Sequence, residues 1–172
     1  MSKEVYYIVR QGSGFVGNSL KWRSVIDGEF TVNIMFAKRF TETEVTALER
    51  VEISTEFYLL SDMLKIAQHH IPAKKLSRYK HTSNTGMYVL RDKRYDLGGH
   101  SAMWWASGQS GYTCDIRMAH FYENVEECQV RSTDKYYSLE KILKHVELHV
   151  DMQDLGKSRH FSHVFNHLKG DN

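Results

Sequence analysis

Ten histidines occur in 172 residues, and several have spacings that could hold a metal ion. Two imidazoles four positions apart, such as those of His145 and His149, can share one ion when they lie on one face of a helix. The segment reads His-Val-Glu-Leu-His, so no glutamate directly follows the first histidine as it does in zinc proteases. Other sets are His69 with His70, and His160, His163 and His167. No cysteine or carboxylate at ligand spacing completes a site, so we expect neither a metal nor a cofactor.

The residue types needed for nucleophilic catalysis occur in one short region. His100, Ser101 and Asp115 include a base and an acid that could activate a serine. An enzymatic alternative would combine His100 and Asp115 with His120. In the repeat of this region described below, asparagine replaces both His100 and Asp115. The sequence therefore favours turn residues here and a protein without catalytic residues.

The segment 71–86 contains four cationic side chains and no acidic one. Its residues Lys74, Lys75, Arg78 and Lys80, with Tyr79 interleaved, could contact several phosphates of a nucleic acid. The same composition suits a solvated connection between two domains. We expect a basic linker here, with nucleic-acid binding by these residues as an alternative function.

All of these residues lie within or next to an internal duplication of the sequence. Tyr7–Arg10 aligns with Tyr88–Arg91 at a separation of 81 positions, and Phe57–Tyr58 aligns with Tyr136–Tyr137 at a separation of 79. At a separation of 82, six identities fall in one window: Gly17 with Gly99, Ser19 with Ser101, Trp22 with Trp104, Thr31 with Thr113, Ile34 with Ile116, and Ala37 with Ala119. Because the matches keep their order, we predict two diverged copies, from about Tyr7 to Lys65 and from about Tyr88 to Lys144.

Each copy is predicted to contain three strands, a helix, a strand and a helix. The third strand, Phe30–Phe40 or Tyr112–Tyr122, alternates apolar and polar residues in the first copy. Thr41 followed by Glu44, and Asn124 followed by Glu127, are helix-start signals. In the second copy, an apolar stripe predicts that the last helix runs to Val150; it consists of Leu139, Ile142, Leu143, Val146 and Val150.

The predicted fold class is α+β, with two tandem, pseudo-symmetric copies of a small module made of an antiparallel sheet and helices. The predicted boundaries are residues 1–70 for the first module, 71–86 for the basic linker and 87–155 for the second module. Residues 156–172 are predicted to form a short C-terminal helix whose apolar stripe consists of Phe161, Val164, Phe165 and Leu168.

The tryptophans allow two interpretations. Trp22 and Trp104 occupy the same position in both copies, and Trp105 follows directly. An exposed tryptophan could stack on a base, which contributes about 1–3 kcal/mol per base. A central strand position flanked by glycine turns favours core packing instead. We expect Trp22 and Trp104 to be buried.

Composition excludes several functional classes. The net charge of +2, from 23 basic and 21 acidic residues, gives no general attraction for nucleic acid or lipid, so any basic surface must be local. Two cysteines predict no disulfide scaffold. No segment approaches the about 18 apolar residues of a membrane helix. We expect a cytoplasmic protein with no membrane partner.

The second copy resembles a short module of uncharacterised, phage-encoded accessory proteins. The matching residues are Trp104–Trp105, Gly111–Thr113, Asp115–Ile116 and Ala119, in the order of a Trp strand, a Gly-Tyr-Thr strand and an alanine. The first copy departs from this pattern at Glu29-Phe30-Thr31. The resemblance implies no enzymatic activity. It implies a viral protein that acts on a component of the host cytoplasm.

The leading functional hypothesis from the sequence is a non-enzymatic protein that binds and modulates a host protein. The C-terminal apolar stripe, Phe161, Val164, Phe165 and Leu168, is the expected partner-binding surface. Nucleic-acid binding through the basic linker is the first alternative, and a small enzyme with a His/Asp site in the second copy is the other. A homodimer is also compatible with the sequence.

Overall fold

The computed structural model describes residues 5–51, 55–79, 86–96, 100–109, 111–127 and 131–155. In these residues the fold is α+β, with antiparallel sheets and short helices, as the sequence predicts. The chain divides into two compact units. Among the described residues, the first unit contains those up to Ala67 and those from Val150 to Leu155, and the second contains those between Gln68 and His149.

The first unit contains a four-stranded antiparallel sheet in the order β3-β2-β1-β4. Its strands are β1 (Tyr7–Val16), β2 (Ser19–Arg23), β3 (Phe30–Thr31) and β4 (Phe57–Leu59). The hairpin from β1 to β2 turns at Gly17, whose φ of 61° is in the left-handed region that favours glycine. Trp22 in β2 pairs with Arg10 on one side and with Thr31 on the other.

The helices of the first unit are α1 (Glu42–Glu49), α2 (Leu60–Ile66) and the short α5 (Met152–Leu155). The predicted start of α1 is confirmed, because Thr41 and Glu44 form a reciprocal capping box. This arrangement satisfies two backbone N–H groups that the first turn of a helix leaves unpaired.

The second unit contains a five-stranded antiparallel sheet in which β10-β6-β7-β8 is the main order and β9 also pairs with β6. These strands are β6 (Tyr88–Asp92), β7 (Trp104–Trp105), β8 (Tyr112–Thr113), β9 (Phe121–Tyr122) and β10 (Asp134–Ser138). Trp104 in β7 pairs with Arg91 on one side and with Thr113 on the other.

A separate two-stranded ribbon in the second unit pairs β5 (Gln68–His70) with β11 (Glu147–His149) in antiparallel register. Two short helices adjoin it in the chain. These are α3 (Ala73–Leu76), which follows β5, and α4 (Leu139–Leu143), which precedes β11.

The predicted burial of the two repeated tryptophans is confirmed. The side chains of Trp22 and Trp104 are both 0% exposed. Each ring makes an edge-on contact with a tyrosine two strands away in the same sheet: Trp22 with Tyr58 at 5.7 Å between ring centroids, and Trp104 with Tyr137 at 6.1 Å. Both indoles are therefore core residues and are not available to stack on a base.

The predicted third strand of the first copy, Phe30–Phe40, is wrong beyond its first two residues. The side chain of Asn33 accepts a hydrogen bond from the backbone nitrogen of Met35 at 3.2 Å and caps a 3-10 helix, Ile34–Phe36. An Asx side chain that bonds to its own following backbone competes with strand pairing. The alternating apolar pattern therefore does not form a strand there.

The same correction applies to the predicted strand Tyr112–Tyr122 in the second copy. Asp115 accepts from the backbone nitrogen of Arg117 at 3.0 Å and caps the 3-10 helix Ile116–Met118. The helix predicted to follow Asn124 is a single 3-10 turn in the described residues, Val125–Glu127.

The last helix of the second copy is much shorter than predicted. It ends at Leu143, and residues Glu147–His149 form strand β11. The apolar stripe was misleading because Val146 and Val150 flank a strand, where they occupy non-helical positions. The predicted C-terminal helix, residues 156–172, lies outside the described residues.

Residues 71–79 of the predicted linker fold as part of the second unit. Ile71 and Leu76 are 0% and 1% exposed and belong to the cluster that surrounds Trp104. These apolar side chains anchor the segment, whereas its lysines face solvent. The charges of this segment suggest a solvated linker, but the apolar side chains of Ile71 and Leu76 bury it in the core.

Truncating a central tryptophan should destabilise the protein far more than truncating an exposed aromatic residue. We expect Trp22→Ala to lower the free energy of unfolding by about 3–5 kcal/mol, because a cavity replaces a fully buried ring. The control in the same unit is Phe36→Ala, whose side chain is 60% exposed, and its effect should stay within about 0.5 kcal/mol. Urea denaturation followed by circular dichroism measures both. Equal losses for the two variants would contradict the burial of Trp22.

Candidate basic pocket

One pocket of the second unit gathers most of the predicted basic residues. Its volume is about 440 Å³, and its lining residues are Lys74, Lys75, Arg78, Tyr79 and His145. Four of the five residues predicted for nucleic-acid binding thus line one concavity. The fifth, Lys80, lies outside the described residues.

The positions of these side chains follow from helix α3 and the turn after it. Pro72 precedes the helix and accepts at its carbonyl from the backbone nitrogen of Lys75 at 2.9 Å. Leu76 is buried in the core on the opposite side from the exposed Lys74 and Lys75. The backbone nitrogen of Tyr79 then donates to the carbonyl of Leu76 at 3.1 Å, which fixes the turn that carries Arg78 and Tyr79.

His145 reaches the pocket from the end of helix α4. Its backbone nitrogen donates to the carbonyl of Ile142 at 2.9 Å, which holds the residue in the last turn. Its Nε2 atom shares a short hydrogen bond with the hydroxyl of Tyr79, and the two rings meet edge-on at 5.5 Å. The ammonium of Lys144 lies 5.6 Å from the centre of the Tyr79 ring, within cation–π range.

The electrostatics of the pocket favour a neutral histidine when no anion is bound. Burial lowers the pKa of His145 below its usual 6.5, and the cations Lys144 and Lys75 lower it further. Glu147 opposes this shift. Each of these cations repels a proton on the imidazole, as like charges do at short range.

The arrangement suits the binding of a phosphate. Lys74 and Lys75 supply compact ammonium groups, and Arg78 supplies a planar guanidinium that can donate two hydrogen bonds to one phosphate. Tyr79 and His145 add a hydroxyl and an imidazole that bond to each other. Since Tyr79 is half-buried and its ring is already in contact with His145, the pocket offers phosphate contacts and no free aromatic face.

The structure does not bring the residues of the enzymatic alternative together. The carboxylate of Asp115 is occupied by Arg117, whose Nε lies 3.0 Å away. The His120 ring contacts Tyr122 at 4.6 Å, and His100 is exposed. In the described part of the chain no hydrogen bond joins His100, Asp115 and His120.

The helical pair considered as a metal site, His145 with His149, is not on a helix. His149 lies in strand β11, is 1% exposed and bonds through Nε2 to Glu147 at 3.2 Å. The four-residue spacing therefore does not place both imidazoles on one face. His160, His163 and His167 lie outside the described residues, as do Phe161, Val164, Phe165 and Leu168.

Sequence reasoning missed a buried pair in the second unit. The hydroxyl of Ser101 lies 2.8 Å from Nδ1 of His70, and the other ring nitrogen of His70 lies 3.2 Å from Oε1 of Gln68. Ser101 is 2% exposed and His70 is 0% exposed. These are residue types of a catalytic dyad, but full burial gives them a structural role. His70 and His149 are 79 positions apart, which is the separation that aligns Phe57–Tyr58 with Tyr136–Tyr137. This match in the sequence could have identified His70 as a repeated residue.

The first unit exposes apolar side chains around the turn from β2 to β3. The backbone nitrogen of Val25 donates to the carbonyl of Phe36 at 3.2 Å and joins the two segments that carry them. The exposed residues, each 50–60% accessible, are Val25, Ile26, Phe30, Met35 and Phe36. Exposed apolar side chains that are close in space are typical of protein contact surfaces.

No family model matches the chain, and neither the curated proteins nor the solved structures include a match. The resemblance to phage accessory proteins therefore stays a prediction. Among the described residues, no helix combines the length and apolar character needed to cross a membrane.

Removing one cation of the pocket should raise the pKa of His145. We expect this for Lys75→Gln, because the variant removes a positive charge that disfavours the imidazolium. The control is Lys135→Gln, an exposed lysine of the same unit that does not contribute to this shift. Titration of the His145 ring by NMR measures both variants. A pKa that Lys75→Gln leaves unchanged would contradict the proposed geometry.

Proposed function

We propose that this protein binds nucleic acid through backbone phosphates at the basic pocket of the second unit. The observation that carries the proposal is that Lys74, Lys75 and Arg78 converge with Tyr79 and His145 on one concavity. Phosphate contacts position a nucleic acid without reading its sequence. We therefore expect binding with little base preference.

The charge distribution supports a local phosphate site. The whole chain has a net charge of only +2, so a uniform basic surface is excluded. The pocket gathers three permanent cations, and Lys144 adds a fourth beside Tyr79. Concentrating these charges costs stability through mutual repulsion, which an anionic ligand would relieve.

We further propose that the two units contain diverged copies of one module, as the duplication predicts. The support is a set of matched pairings inside each unit. Trp22 pairs with Thr31 as Trp104 pairs with Thr113. The other matched pairings are Arg10–Trp22 with Arg91–Trp104, Tyr7–Phe40 with Tyr88–Tyr122, Ser24–Ala37 with Ala106–Ala119, and Ile8–Tyr58 with Val89–Tyr137.

The 79-residue offset also matches the elements at the end of each copy. Strand β5 (Gln68–His70) corresponds to β11 (Glu147–His149), and helix α3 (Ala73–Leu76) corresponds to α5 (Met152–Leu155). The copies differ at the pocket. The positions that match Lys74, Lys75 and His145 hold Gln153, Asp154 and Ile66. These three lining residues of the basic pocket are therefore not repeated at the matched positions, as expected for a functional difference.

Replacing the three cations should weaken nucleic-acid binding and its salt dependence together. We expect the variant Lys74→Ala/Lys75→Ala/Arg78→Ala to reduce the slope of log affinity against log salt concentration by up to about 2, at about 0.7 per phosphate contact on a single strand. Fluorescence anisotropy with a labelled oligothymidine and with a duplex of equal length measures the affinity across a salt series.

The matched control is Arg50→Ala/Lys65→Ala/Lys135→Ala, which removes the same charges from exposed positions outside the pocket. It should retain the salt slope of the unmodified protein. If both triple variants lose affinity equally, binding is non-specific and the pocket is not the site. Competition with inorganic phosphate and with a nucleotide distinguishes a site for a polymer from a site for a small phosphate.

Binding of a phosphate should be linked to proton uptake at His145. The pKa of this residue is below its usual 6.5 in the free protein, and a bound anion would favour the imidazolium and raise it. Affinity should therefore increase as the pH falls from the pKa of His145 in the complex toward its lower pKa in the free protein. His145→Gln should remove that increase, whereas His120→Gln, at a half-buried histidine elsewhere in the unit, should leave it unchanged. An affinity in the unmodified protein that does not vary with pH would contradict the linkage.

Binding of a protein partner, the leading hypothesis from the sequence, is a second candidate. The observation in its favour is the exposed apolar group formed by Val25, Ile26, Phe30, Met35 and Phe36. The double variant Ile26→Ser/Phe36→Ser should abolish a protein complex that survives nuclease treatment, and it should leave oligonucleotide binding intact. Loss of oligonucleotide binding in this variant would instead contradict the assignment of that activity to the basic pocket.

A further inference from the structure

We infer that the two copies exchange their C-terminal segments, so that the basic pocket is assembled from residues of both copies. The inference rests on the proposed duplication and goes beyond nucleic-acid binding. The first tail is defined as Gln68–Tyr79 and the second tail as Glu147–Leu155. Each tail follows its own copy directly in the chain.

The first tail is part of the unit that contains the second copy. Its Ile71 and Leu76 are buried with Trp104 and Ile142. The carbonyl of Ile71 accepts from the backbone nitrogen of Ala102 at 2.9 Å. The segment that ends the first copy therefore completes the core of the second.

The part of the second tail from Val150 onward makes the corresponding contacts in the first unit. The carbonyl of Val150 accepts from the backbone nitrogen of Leu20 at 2.9 Å. The hydroxyl of Ser19 donates to Oδ1 of Asp151 at 3.1 Å. Helix α5 begins with Met152, whose backbone nitrogen donates to the carbonyl of Asn18 at 3.0 Å.

These two sets of contacts occupy matching positions. Leu20 matches Ala102 at the 82-residue offset, and Val150 matches Ile71 at the 79-residue offset. The two backbone hydrogen bonds have the same length and the same direction, and their donors and acceptors occupy matching positions in the two copies. Each acceptor site is thus filled by the tail of the other copy.

The ribbon of β5 with β11 has the register expected of such an exchange. Gln68 pairs with His149, and His70 pairs with Glu147. At the 79-residue offset Gln68 matches Glu147 and His70 matches His149. The pairing is therefore unchanged when the two strands are interchanged, which is the property of an isologous contact between identical subunits.

Each unit therefore contains a tail that follows the other copy in the chain, as each protomer of a swapped dimer contains a segment of its partner. Exchange of an identical element between protomers is a low-cost route to a dimer, because the exchanged contacts already exist within one protomer. The set of residues that line the basic pocket depends directly on this exchange. The first tail supplies Lys74, Lys75, Arg78 and Tyr79, and the second copy supplies His145.

Disulfide trapping in the full chain tests the exchange. A protease site is inserted between His81 and Thr82, and Cys114 and Cys128 are replaced by serine. The exchanged pair is Ile71→Cys/Ala102→Cys, whose backbones are hydrogen-bonded and so lie within the about 4.4–6.8 Å Cα separation that a disulfide needs. After oxidation and cleavage, we expect the two fragments to remain covalently joined on a non-reducing denaturing gel.

The control is the pair that would meet if each copy kept its own tail, Leu20→Cys/Ile71→Cys. After the same treatment we expect two separate fragments and a free thiol at both positions. A disulfide in the control together with separated fragments for the pair Ile71→Cys/Ala102→Cys would overturn the exchange. The readout uses no ligand, so a failure of nucleic-acid binding leaves it unaffected.

A second measurement covers the case in which the buried cysteines prevent folding. The chain that carries only the protease site is cleaved, and the His145 ring is observed by NMR with and without Tyr79→Phe. Tyr79 and His145 then belong to different fragments, so a shift of the His145 resonance in the cleaved protein supports the exchange. The exchange would be overturned if the fragments separate under native conditions, or if Tyr79→Phe does not shift the His145 resonance.

Discussion

The burial of the Trp104 ring is the constraint on which the functional part of the structure depends. A large buried indole needs apolar neighbours, and the strands around Trp104 do not supply all of them. Ile71 and Leu76 provide these apolar neighbours, and their burial holds helix α3 against the core. Because Leu76 faces inward, Lys74 and Lys75 must face solvent at the pocket. The position of the cations is thus a consequence of how one aromatic ring is buried.

Features that depend on local chemistry were predictable from the sequence. The capping box of Thr41 with Glu44 is set by residues three positions apart, and the burial of Trp22 and Trp104 by their strand context. The basic residues Lys74, Lys75 and Arg78 were also identified, although as part of a linker. Their composition allowed phosphate contacts as an alternative to a solvated linker, because that possibility depends on residue type and not on the fold.

Features that depend on competition between local and distant contacts were not predictable. The pattern of apolar residues after Thr31 suits a strand, but the side chain of Asn33 bonds to the backbone at Met35 and ends the pairing. His145 lies only 2 residues from β11, and the single sequence gives no sign that a strand begins at Glu147, because its partner is β5, far away in the chain. The participation of His145 in the pocket depends on that long-range pairing.

Under the proposed duplication, the matched positions of the two units differ at the basic pocket. The matched leucines differ in burial: Leu76 is buried in its unit, and its counterpart Leu155 is half-buried. Positions on the outer side are free to diverge, because neither Lys74 nor Gln153 contributes to the core. Lys75 differs from its counterpart Asp154 in burial as well as in charge, since Asp154 is 8% exposed. Burying a charge of either sign is costly unless it is paired, so the exposure of Lys75 keeps the desolvation cost of its cation low.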